Sequence, residues 1–196
     1  MDYISESELQ ALVKKVMSQV SGNPQPGAVV ASNPSPAQPC ASGGKKTVAI
    51  GSDHGGYDMK TALISYLGEL GHQVIDCGTH SKEAVDYPDV AYAVAGKVQQ
   101  GAACRGIVID GAGIGSCMAA NKVTGIRAAM CYDYATAVNS REHNDANVLT
   151  LGAGLLGLNQ VKLIVKTWLD TDFGGGRHSN RVDKIMEIEK KYSKEG

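Results

Sequence analysis

Four stretches of this chain set proton-moving or anion-holding side chains beside glycines or small residues. Ser52-Asp53-His54-Gly55-Gly56 follows one apolar run, and Asp110-Gly111-Ala112-Gly113-Ile114-Gly115 follows another. Arg141-Glu142-His143-Asn144-Asp145 and Gly174-Gly175-Gly176-Arg177-His178-Ser179-Asn180-Arg181 come later. Glycine at every second position after Asp110 lets backbone N–H groups converge on an anion, aided by the positive end of the helix that follows. A carboxylate beside such a cradle suggests proton transfer on an anionic or enolising substrate. Two arginines four apart, Arg177 and Arg181, suit bidentate capture of phosphate or carboxylate, with a solvated helix start as the competing reading. Singly these residues read as helix caps and surface histidines. Together they favour a site.

The elements that must position them alternate. Residues 47–51, 72–76, 106–110, 126–131 and 147–151 read as apolar strands. Between and after them, 57–70, 90–100, 116–121, 133–141, 159–169 and 181–192 read as helices. Apolar strands alternating with amphipathic helices imply a parallel sheet covered on both faces. The expected fold over 47–196 is a Rossmann-like three-layer α/β/α sandwich with a five-stranded parallel sheet. Ligands of such sheets sit beyond the carboxyl ends of the strands. Asp53, His54, the loop carrying Asp86-Tyr87-Pro88, Asp110 and the segment around His143 are all expected along that one edge.

Composition narrows the chemistry. The 196 residues are 43% hydrophobic and 20% charged with a formal net charge of -1, so no basic field invites nucleic acid or an acidic membrane. One Trp and one Phe make a base-stacking surface improbable. No apolar stretch is long enough to span a bilayer, and the acidic N-terminus is unlike an export signal, so a cytoplasmic protein is expected. Five cysteines without close pairs argue against zinc and are expected to be reduced. The dinucleotide fingerprint fails, because Gly111-x-Gly113 would need glycine at Ser116, and no phosphate-loop Lys-Ser/Thr pair occurs. Neither a metal nor a cofactor is expected.

The N-terminus is organised differently. Ile4, Leu9, Leu12, Val13, Val16, Met17 and Val20 form one stripe of a helix over residues 1–20, and Ser5 with Glu8 fits a capping box. Residues 21–46 hold five of the six prolines and read as a linker. A short amphipathic helix on a tether needs a partner for its apolar face, either its own domain or another protein. The layout resembles the encapsulation peptides that direct enzymes into bacterial microcompartments, which implies docking on shell proteins.

From Lys46 to Tyr192 the chain resembles the type B ribose-5-phosphate isomerase and galactose-6-phosphate isomerase family. The resemblance rests on Gly51-Ser52-Asp53-His54-Gly55, Asp86-Tyr87-Pro88, the glycine loop, Ala119-Ala120-Asn121-Lys122, Gly125-Ile126-Arg127-Ala128, Arg141 through Asn147, and Gly176-Arg177-His178 with Arg181. It implies cofactor-free interconversion of the aldose and ketose forms of a pentose or hexose phosphate through an enediol, on a homodimer or homotetramer whose site draws on both subunits. By resemblance, His143 with Asp53 opens the sugar ring, and Tyr87 and Asn144 orient hydroxyls. His54, Arg177 and Arg181 face the phosphate or the far end of the sugar, and the backbone from Gly111 to Gly115 steadies the enediolate. The family places its carbon base as cysteine where this chain has Asp110, or as glutamate where it has Ser116. Ala112 replaces a usual hydroxyl residue, and Gly154 replaces a phosphate-binding arginine. Asp110 is the expected base here. A sugar-phosphate-binding protein without turnover and an epimerase are the alternatives.

Overall fold

The computed structural model describes residues 46–193. The expected N-terminal helix and nearly all of the expected linker lie outside the described residues. Five parallel strands form one sheet: β1 (Thr47–Ser52), β2 (Gln73–Asp76), β3 (Arg105–Asp110), β4 (Ala128–Met130) and β5 (Val148–Gly152), ordered β2-β1-β3-β5-β4. Val48, Ile50, Ile107, Ile109, Leu149 and Leu151 are fully buried, as near-continuous apolar runs require when both sheet faces are covered.

Helices α1 (Tyr57–Glu69), α4 (Tyr134–Glu142) and α5 (Leu158–Asp170) cover one face through Leu63, Leu67, Ala137, Val161, Ile164 and Trp168. Helices α2 (Tyr87–Gln99) and α3 (Ile114–Ala120) cover the other through Ala91, Val94, Val98 and Ala120. A single 3₁₀ turn at Gly176–His178 leads into α6 (Ser179–Tyr192). The layers and the parallel order are those the alternating pattern anticipates. Helix α2 begins three residues earlier than expected, because Pro88 falls in its first turn, where its missing N–H costs nothing. Cys77, Cys117 and Cys131 are free, whereas Cys104 is disulfide-bonded, which corrects the expectation of five reduced thiols.

Parallel order decides where the chemistry goes. Each strand runs from the amino edge of the sheet to the carboxyl edge, and each helix must run back. Asp53, Tyr87 and Asp110 follow strands or open helices, so they stand at the carboxyl edge. His143 ends α4 and precedes β5, so it stands at the amino edge. The register Gly106↔Val148 to Asp110↔Gly152 separates the two edges by roughly 13 Å of sheet. The expectation that both groups share one edge is therefore corrected. A helix that leaves the carboxyl edge delivers its last residue to the opposite one.

Candidate active site

At the carboxyl edge, Asp110 is 5% exposed. Its Oδ1 accepts from Ala112 N at 2.8 Å and from Gly113 N, and its Oδ2 accepts from Ser116 N at 3.0 Å and Ser116 Oγ at 2.5 Å. Two oxygens offer about four lone-pair positions. Four donors fill them. Burial pushes the carboxyl up, but the Ser116 hydroxyl and the amides of Gly113, Ser116 and Ala112 together outweigh it and hold Asp110 below the ordinary carboxylate range.

The glycine loop therefore cradles an anion, and the anion is the chain's own. The amides of Ala112 and Gly113, expected to face a ligand, are spent on Asp110. Those of Ile114 and Gly115 lie in the first turn of α3, where no intrahelical carbonyl reaches them. Gly113 takes φ +79°, a left-handed turn that glycine adopts without strain. The loop is pinned from several sides: Thr150 Oγ1 donates to Gly113 O at 2.8 Å, Tyr132 Oη to Ala112 O at 3.1 Å, and Ala153 N to Asp110 O at 2.8 Å.

Tyr87 lies over this loop. A Cβ on Gly115 would stand 2.5 Å from its ring, so the glycine is what admits the phenol. Asp53 N donates to Ile109 O at 3.1 Å, tying the two carboxylate-bearing strand ends together. Asp53 Oδ1 accepts from Gly56 N at 3.0 Å, a local cap that occupies one of its oxygens. His54, beside it, is exposed. Gly154 N donates to Gly111 O at 2.9 Å, and a Cβ at Gly154 would meet that same carbonyl at 3.0 Å. A side chain there would press on the loop that holds Asp110.

The amino edge is built from side chains. His143 stacks on His178 with ring centroids 4.2 Å apart and planes 6° from parallel. Glu142 Oε2 lies 4.0 Å from His143 Nε2. Burial, then His143, Arg177 and Arg181, hold His178 below the ordinary histidine range. The turn that presents His143 hangs on Asp145, a non-glycine residue at φ +46°. Its carboxylate bridges Arg127 Nη2 at 2.9 Å and Arg141 Nη1 at 2.8 Å, and Arg141 is 2% exposed. All five arginines of the chain, Arg105, Arg127, Arg141, Arg177 and Arg181, belong to this edge and the start of α6. Arg105 is lowered to about 10 by burial and by Arg141.

Of the expected site residues, Asp53, His54, Tyr87, Asp110 and the loop from Gly111 to Gly115 gather at one edge, and His143, Asn144, Arg177 and Arg181 at the other. Sequence reading missed Ser116 as the partner of Asp110 and Asn139 as the partner of His143. A spacing of six across a loop and a helix start carries no periodic signal, and an Asn four before a His on a helix is indistinguishable from surface polarity. Among the described residues, no group of three His, Cys, Asp or Glu side chains could hold a metal ion, and no helix is long and apolar enough to cross a membrane.

A profile of the Ribose/Galactose Isomerase family matches residues 48–185. Ribose-5-phosphate isomerase B of Escherichia coli (strain K12) is 45% identical over 146 residues, 74% of this chain and 98% of that protein. D-erythrulose-4-phosphate isomerase of Pectobacterium atrosepticum is 42% identical over 140 residues, 71% of this chain and 92% of that protein. The structure of Clostridium thermocellum ribose-5-phosphate isomerase B superposes with a TM-score of 0.74 at 55% identity, covering 75% of this chain and 99% of that one.

Proposed function

Because the chain belongs to the Ribose/Galactose Isomerase family, we propose that it interconverts the aldose and ketose forms of a sugar phosphate through an enediol, in a site that two copies complete. The reaction moves one proton from C2 to C1 and one from O2 to O1, and it requires a base beside the carbon and donors beside the oxygen. Relatives of nearly equal identity carry the names of a five-carbon and a four-carbon substrate, ribose 5-phosphate and D-erythrulose 4-phosphate. Those names support sugar phosphates as a class rather than one sugar.

The observation that carries the reading is the Asp110–Ser116 contact beneath Tyr87. A saturated carboxylate must lose a donor before it can take a proton. Three of its donors are backbone amides fixed by the loop and the α3 start, and only the Ser116 hydroxyl can rotate away. In the proposed cycle, Ser116 Oγ turns to the substrate, Oδ2 of Asp110 takes the carbon proton, and the amides of Ile114 and Gly115 face the enediolate oxygen. Tyr87 and Asp53 orient hydroxyls from the same edge.

Ring opening and phosphate capture fall to His143, Arg177 and Arg181, which stand a sheet-length away in the same chain. A partner that brings its own amino edge to this carboxyl edge closes the site. A groove of about 630 Å³ runs along the open edge of β4, lined by Ala129, Met130, Asn139 and Ile185, and gives such a partner an apolar seat. The docking helix within residues 1–20 rests on its amphipathic stripe and its tether. Fused to a fluorescent protein, residues 1–46 should concentrate at microcompartment shells, and diffuse fluorescence would refute that role.

Solvent-deuterium exchange read by NMR tests the chemistry. Ribose 5-phosphate or D-erythrulose 4-phosphate should acquire deuterium next to the carbonyl, and Asp110→Asn should abolish it. Binding of either compound without exchange would instead make the chain a sugar-phosphate-binding protein.

A further inference from the structure

The hydrogen bonds around His143 fix its protonation, and the logic starts from an atom whose role is unambiguous. The backbone carbonyl of Asn139 can only accept. It lies 3.1 Å from one terminal atom of the Asn144 side chain, so that atom is the amide nitrogen. The same nitrogen lies 3.2 Å from a terminal atom of the Asn139 side chain, which must then be the carbonyl oxygen. This leaves the Asn139 Nδ2–H group facing His143 Nδ1 at 2.8 Å. Nδ1 must accept, and the ring proton of a neutral His143 sits on Nε2.

We propose that Asn139 is a positioning residue that holds His143 as a neutral imidazole with its proton on Nε2, the form that donates to the ring oxygen of a cyclic sugar phosphate. This rests on the isomerase reading given above. In ring opening the C1–O bond breaks, the C1 hydroxyl loses its proton as it becomes the carbonyl, and the ring oxygen gains one, so the net exchange is internal to the sugar. His143 carries that exchange. Nε2–H passes to the ring oxygen as the C1–O bond breaks, the C1 hydroxyl proton returns to Nε2 as the carbonyl forms, and the Asn139 N–H at Nδ1 stabilises the electron density the ring carries in between. Asn144 gains a second role by the same geometry. Its amide nitrogen is committed to Asn139, so it orients Asn139 and has its carbonyl oxygen left to accept from a substrate hydroxyl.

The second face of the ring supports this state. His178 stacks on it, and His178 Nδ1 is buried without a partner among the described residues. Burial, His143, Arg177 and Arg181 hold His178 below the ordinary histidine range, which favours a neutral ring in the stack. Arg177 and Arg181 lie beyond the stack and oppose any added positive charge. Glu142, 4.0 Å from His143 Nε2, is a carboxylate set against them.

The test reads the ring nitrogens directly, by 15N NMR of the full chain without substrate. Wild-type His143 should show a pyridine-like Nδ1 and a pyrrole-like Nε2. In Asn139→Asp the carboxylate can only accept, so the proton should move to Nδ1. Turnover of cyclic ribose 5-phosphate should fall roughly ten- to a hundredfold in that variant. D-erythrulose 4-phosphate, which cannot close a furanose ring, should be spared. A pyrrole-like Nδ1 in the wild type, or equal losses on both substrates, would overturn the proposal. Should Asn139→Asp not fold, Asn144→Ser supplies the same readout by freeing the Asn139 amide to flip. A pyridine-like Nδ1 in a protein that isomerises neither substrate would sink the functional reading and leave the tautomer standing.

Discussion

The two edges of the sheet solve the problem of holding a reactive group in opposite ways. At the carboxyl edge backbone does most of the work: three amides and one hydroxyl surround Asp110, and the loop is pinned by Thr150 and Tyr132. At the amino edge side chains hold side chains: Asn144 orients Asn139, Asn139 orients His143, and Asp145 ties the turn to Arg127 and Arg141. A backbone cradle is rigid and selects a charge. A side-chain relay is adjustable and selects a protonation state. The proposed isomerase, which opens a ring and then moves a carbon-bound proton, has use for both, and on that reading the two edges complete each other.

The strongest way to break this comparison is to separate the edges genetically. Asp110→Asn and His143→Ala should each be nearly inactive. Mixed as unfolded chains and refolded together, they should recover activity. In a dimer whose site borrows one edge from each copy, a mixed pair carries one doubly damaged site and one intact site. Equal mixing then restores about a quarter of the sites. Recovery in the mixture, measured as turnover against the separately refolded variants, supports the shared site. If the mixture stays as inactive as its components, each chain contains its own complete site and the division of labour is wrong.

The edges were not equally legible in the sequence. Asp110 and its glycines stand next to one another in the chain, so the cradle could be read from spacing alone. What could not be read was its occupant, because the choice between a bound ligand and Asp110 itself depends on a loop closing over six residues onto Ser116. His143 is visible as a residue type, yet its expected place at the carboxyl edge is the wrong one. Strand and helix patterns do give direction, and following α4 back from β4 would have placed it correctly. The Asn144–Asn139–His143 relay was beyond reach, since it exists only once a helix end and the turn after it have fixed their dihedrals.

A smaller perturbation sharpens the structural half. Asp145→Ala removes the carboxylate shared by two guanidinium groups and leaves Arg141 buried without its ion pair. The loss should be about 3 kcal/mol, read by chemical denaturation. Asp145→Asn retains a side chain that accepts hydrogen bonds and tolerates positive φ, so it should cost about half as much. Equal losses in the two variants would mean that charge, and not the turn, is what Asp145 supplies.

The finest test asks whether Ser116 restrains Asp110. Ser116→Ala deletes the one donor that can move and leaves three amides on the carboxylate. The variant should lose about 1 kcal/mol of stability at neutral pH, the usual worth of one such bond. The sign of the pH dependence follows from the depressed carboxyl of Asp110. Its contribution to stability is complete above the ordinary carboxylate range, where the unfolded chain is also ionised, and it disappears as pH falls through the lower folded value. With Ser116 gone the folded value moves up toward the unfolded one, so both the contribution and its loss in acid should shrink. Catalysis should respond in the opposite sense. A carboxyl less tightly held is a stronger base that protonates sooner, so the acid limb of kcat/KM should move to higher pH while the plateau holds or rises. A plateau that collapses with the acid limb unmoved would mean that the Ser116 hydroxyl itself meets the substrate, and that Asp110 is a clamp for the loop and not the base.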